Sequence, residues 1–121
     1  MTDIYSRVPH FEAEVKILTP EEGGRNLPPY NYIRWDFGYA DKSSTDPIYM
    51  IYPNFLGGDG QPIAKGVPLH GIFTTRMHIV ADCSVIFHKS RISIGTEFNC
   101  HEGRHVVATG VVTRLLALKD I

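Results

Sequence analysis

Several groups of residues in this sequence are of types that chemistry uses. His78, Cys83 and His88 lie close together, and Cys100, His101 and His105 form a second group. A structural zinc centre wants four ligands at tight spacings on rigid turns, and neither group supplies that pattern. Adjacent strand residues point to opposite faces, so Cys100 and His101 are poorly placed to chelate together. The histidines therefore read as exposed or edge residues, and the two cysteines as reduced core or edge thiols. Glu21-Glu22 is the one pair of adjacent carboxylates, and it sits in a turn. Nucleophilic catalysis needs a placed base and an oxyanion hole, and the sequence has no Gly-x-Ser-x-Gly elbow. Gly57-Gly58-Asp59-Gly60 is glycine-rich. A phosphate loop would end in Lys-Ser/Thr and open a helix, and this segment does neither. No cofactor, no metal and no catalytic constellation is expected, and a small enzyme is the remaining class.

The elements that must carry these residues read as strands. Phe11-Glu12-Ala13-Glu14-Val15-Lys16-Ile17-Leu18 alternates apolar and charged with a period of two, so one face is buried and one is wet. Thr19 to Asn26 is a loop, with Pro20 removing a donor and Gly23-Gly24 permitting positive φ. Tyr32–Tyr39 reads as a strand, 41–47 as a turn, and Ile48–Tyr52 as a short dense strand. Residues 54–68 hold four glycines and two prolines and read as a long loop. Alternation over 73–80 places Phe73, Met77 and Ile79 inward, with Arg76 and His78 outward. Residues 84–88 form a further strand or bend, and 95–101 a strand. Glu102-Gly103-Arg104 is a tight turn. The last apolar segment, 105–118, has Gly110 as a bend or bulge. No helical period is sustained. Short strands punctuated by Gly and Pro give an all-β sandwich or barrel.

A chain of 121 residues with 43% hydrophobic and 21% charged residues is one ordinary globular domain with a core of its own. We place a tail at 1–8 and the domain at 9–118. A net charge of −1 gives no global drive toward nucleic acid or anionic membrane. The charge is uneven: 5 Lys/Arg against 9 Asp/Glu over residues 1–60, and 7 against 4 over 61–121. No apolar run spans a membrane and no signal-peptide pattern opens the chain, so a cytoplasmic setting is expected. Nothing indicates DNA or a membrane as partner.

Four segments resemble the third domain of elongation factor Tu. They are "FEAEVKIL" at 11–18, "EEGGR" at 21–25, "YIRWDF" at 32–37 and "GRHVVATGVVTRLL" at 103–116, with Pro9-His10 similar to the linker before that domain. The resemblance covers about residues 9–117, and 40–95 carries little of it. It implies a closed antiparallel β-barrel of six or so strands. It also implies a part in holding aminoacyl-tRNA and in touching protein partners. The GTPase domain that accompanies the barrel in that family has no counterpart here.

On the resemblance, Arg25 and Arg34 stand where family arginines face RNA, and Thr45 lies near a family threonine. Three positions depart from it. Asp36 replaces a glutamine, Ala40 replaces an arginine, and Glu102-Gly103-Arg104 is one glycine shorter than the family turn. A carboxylate beside a phosphate opposes binding. Arg25 and Arg34 therefore also read as braces, pairing with Glu21, Glu22 or Asp36. Most of the dense aromatics read as packing, with Tyr30 and Trp35 as the ones left exposed for a partner. The binding candidates are Arg25, Arg34, Tyr30, Trp35, Gly103 and Arg104. A protein is the expected partner of this non-catalytic module. The alternatives are translation-related tRNA or other RNA binding, and an inhibitor or immunity-type role linked to translation.

Overall fold

A computed structural model describes residues 8–40, 49–80 and 88–120. The strands are β1 (Phe11–Ile17), β2 (Trp35–Tyr39), β3 (Tyr49–Phe55), β4 (Ile72–Ile79), β5 (Glu97–Glu102) and β6 (His105–Leu115). They close an antiparallel barrel in the order β1-β4-β3-β2-β5-β6. The expected barrel is thus present, with six strands. Closure gives every strand two neighbours.

The alternation read from β1 is its burial pattern: Phe11, Ala13, Val15 and Ile17 face in, and Glu14 and Lys16 face out. The interior is filled by rings. Phe37 stacks on Phe98 at 4.8 Å between centroids, and Phe11 meets both edge-on at 6.3 and 6.2 Å. Edge-to-face contact suits the ring quadrupole. Gly110 is not a bulge. It pairs with Phe98 in the β5–β6 ladder, and a Cβ there would overlap the Phe98 ring. The bulges lie instead at Glu12/Ala13 and Cys100/His101.

Other boundaries move for physical reasons. The strand expected over 32–39 starts only at Trp35, because Tyr32 takes a positive φ of 69° in a turn. The strand expected to stop at Tyr52 runs on through Pro53 to Phe55. Proline is tolerated there because β2 ends opposite Ile51, so Pro53 needs no donor on that side. The turn expected at 41–47, the tail at 1–7, Cys83 and most of 84–88 lie outside the described residues, while 88–91 form a helical turn. After β6 a 3-10 turn, Ala117–Asp120, buries Leu118. No helix among the described residues is long and apolar enough to cross a membrane.

Candidate functional site

One end of the barrel gathers the binding candidates Arg25, Trp35, Gly103 and Arg104. It is formed where β1 ends, β2 begins and β5 turns into β6. The chain leaves β1 through Thr19, which caps the 3-10 turn Pro20–Glu22 with a capping box. The Thr19 hydroxyl accepts from the Glu22 N–H at 3.2 Å, and the Glu22 carboxylate accepts from the Thr19 N–H at 2.9 Å. Lys16 donates to the other Glu22 oxygen at 2.7 Å. The Lys16 contact, then the Thr19 N–H, holds the Glu22 carboxyl below its ordinary range.

Both glycines that follow are structural. Gly23 closes the turn at φ 93°, where a side chain is strained. Gly24 passes so close to the Leu18 carbonyl that a Cβ would overlap it. This delivers Arg25 to the β5–β6 turn. The Arg25 Nε lies 3.0 Å from Glu102 Oε2, and the Trp35 indole N–H donates to the same oxygen at 3.0 Å. The His105 imidazole also meets the Gly23 carbonyl. Three segments far apart in sequence are thus tied at one carboxylate.

The expected residues fare differently here. Arg25 does brace a turn, but its partner is Glu102 and not Glu21, Glu22 or Asp36. Arg34 is exposed, with its guanidinium 5.3 Å from the Tyr52 ring centroid. Gly103, at φ 62°, and Arg104 form the exposed tip of the hairpin. Tyr30 is exposed as expected, at 46%. Trp35 is not: it faces the core at 2% exposure, its ring edge-on to Phe55 at 5.9 Å. Asp36 is half-buried and lies opposite His101 in the ladder. Thr45 lies outside the described residues. A shallow groove between the 18–29 segment and 69–71 runs beside Arg25, and Leu27 stands at its rim with 72% exposure.

Two residues that hold this end together escaped the sequence. Glu102 is one. Asn31 is the other, buried where β3 outruns β2. Its amide nitrogen lies within 3.1 Å of the Asn54 side-chain oxygen and the Phe55 and Ile63 carbonyls. Its oxygen accepts from the Phe55 N–H at 2.9 Å. One side chain thus replaces the missing ladder partner. No local pattern marks Asn31, while Glu102 could have been found as the carboxylate beside the final turn.

The histidines correct a second expectation. His78 and His88 are buried, at 1% each. At the opposite end of the barrel, His88 Nδ1 lies 2.6 Å from the Tyr39 hydroxyl and its ring is edge-on to Tyr49. Arg91 stacks over Tyr39 at 3.8 Å. Burial, with Arg91 and His10 nearby, pushes His88 down to about 4. His101 is also lowered, chiefly by burial. Cys100 is fully buried, and its thiol is pushed up to about 12. Among the described residues no three His, Cys, Asp or Glu side chains are grouped to hold a metal.

No protein-family model matches the sequence.

Proposed function

We propose that this chain is a non-catalytic docking module, a relative of the third domain of elongation factor Tu, which binds a protein through the Arg25–Glu102 end of its barrel. The observation that carries this reading is the contact of Arg25 with Glu102. The cation at the position that faces RNA in the resembled family is engaged by a carboxylate of its own chain. Asp36, on the adjoining strand, adds a further negative charge. At the same end, exposed Leu27 and Tyr30 bracket Pro28-Pro29. Prolines hold that backbone extended, so the apolar side chains are displayed at little ordering cost. Exposed Tyr beside apolar residues is the composition of protein interfaces rather than of phosphate contacts. A buried free thiol, Cys100, accords with a reducing, cytoplasmic setting.

Arg34 and Arg104 are exposed at this end and carry the alternative reading, RNA docking. Affinity capture on the immobilised chain separates the two. A protein retained in moderate salt, and lost from the Leu27→Ser/Tyr30→Ser variant, supports protein docking. A nucleic acid retained at low salt, and lost from Arg34→Ala/Arg104→Ala, overturns it in favour of RNA.

A further inference from the structure

The barrel wall formed by β4, β1, β6 and β5 carries a second surface, lined by residues other than Leu27 and Tyr30. Its outward residues form rows across the strands. In one row Glu14 on β1 lies opposite Val111 on β6, and Val111 lies opposite Glu97 on β5. Val111 is 40% exposed, and Ile72, at 59%, stands on β4 beside Lys16 in the next row. All four residues, Glu14, Ile72, Glu97 and Val111, line one open depression.

The charges of this wall are not evenly answered. Lys16 is tied to Glu22. In the row on the other side, Glu12 lies between Arg76 and Arg114 in the ladders. Glu14 and Glu97 form no ion pair with any described residue. Two exposed carboxylates therefore flank an exposed valine. Two inter-strand spacings set their backbones roughly 10 Å apart. Residues i and i+7 of an α-helix are about 10.5 Å apart, with i+3 and i+4 between them on the same face.

We propose that this wall is a docking surface for a basic amphipathic helix of a protein partner, laid across β1, β6 and β5. Lys or Arg at i and i+7 meets Glu14 and Glu97, and an apolar residue at i+3 or i+4 covers Val111. The long stems of Lys and Arg let the cations reach both carboxylates. The neighbouring row fixes the register. A helix displaced by one row brings its cations against Arg76 and Arg114, and like charges oppose that placement. The surface does not depend on the docking role of Leu27 and Tyr30, so either can fail without the other.

The probe is a synthetic amphipathic helical peptide with Lys at i and i+7 and Leu at i+3 and i+4, paired with a copy carrying Glu at both Lys positions. The full chain, labelled with ¹⁵N, is titrated with each. Saturable amide shifts centred on Glu14, Val111 and Glu97 with the Lys peptide, and none with the Glu peptide, are expected. Glu14→Gln/Glu97→Gln should weaken the Lys peptide by about fivefold or more at low salt and leave little further salt dependence. Val111→Thr keeps a β-branched side chain in the strand and should weaken binding without altering the salt dependence. No saturable shift, shifts centred on Leu27 and Tyr30, or equal affinity in the double variant would each overturn the proposal.

Discussion

Gly24 and Asn31 show how much of this barrel end rests on single side chains, or on the lack of one. A methyl group at Gly24 overlaps the Leu18 backbone, which has no rotamer with which to yield. Gly24→Ala should cost about 1–3 kcal/mol of stability, measured by urea unfolding, because overpacking is relieved only by moving the chain. Asn31→Ala removes the partner of the Phe55 N–H and of two carbonyls in the interior. A loss of about 3 kcal/mol is expected in the same measurement, since each orphaned buried group carries its own desolvation cost. The Gly-Gly dipeptide was legible because turn chemistry is local. Asn31 was not, because its partners lie 23 to 32 residues away. Cys100 gives a chemical check. With its thiol raised to about 12 and no exposure, it should react with a disulfide reagent only as fast as the protein unfolds, read in a Cys83→Ser background.

The strands were readable in proportion to how fully one face is wet. β1 alternates without a break and came out with its boundaries nearly right. β3 did not, because its last five residues are all buried, Tyr52 and Asn54 included, and a strand covered on both faces loses its period of two. His78 misled for the same reason: alternation with Met77 and Ile79 puts it on the outer face, yet at the Ile79 end of β4 both faces are buried. The helical turn at 88–91 holds His88 against Tyr39 and so closes the far end of the barrel. The native pKa of His88, about 4, lies below its ordinary 6.5. Unfolding therefore takes up a proton between these values. Stability from this contact is fully present above pH 6.5 and is lost as pH falls toward 4. His88→Asn, which keeps an acceptor near the Tyr39 hydroxyl, should flatten that part of the stability–pH curve from thermal unfolding. An unchanged slope would assign the proton uptake to another group.

As a whole the molecule is a closed six-stranded antiparallel barrel. The all-β character was legible from the short punctuated strands, which leave sandwich and barrel open, while closure was expected only from the resemblance and is seen in the strand pairing. The site was legible only in part. Arg25 was located, but the carboxylate that holds it sits 77 positions further along the chain. Trp35 was expected at the surface and is instead a core ring whose N–H serves Glu102. The same carboxylate bears on function, since an arginine paired with Glu102 is less free to meet a phosphate. Releasing it should matter more to the fold than to binding. Arg25→Ala is expected to cost about 1 kcal/mol, because the pair is half-exposed, and to leave capture of the protein partner intact. The most direct test places a photo-crosslinking benzoylphenylalanine at Tyr30 and irradiates the chain in its native cells. The account predicts an adduct that is a protein, survives ribonuclease and disappears when Leu27→Ser is added. An adduct that ribonuclease removes, or one that Leu27→Ser leaves unchanged, would contradict it.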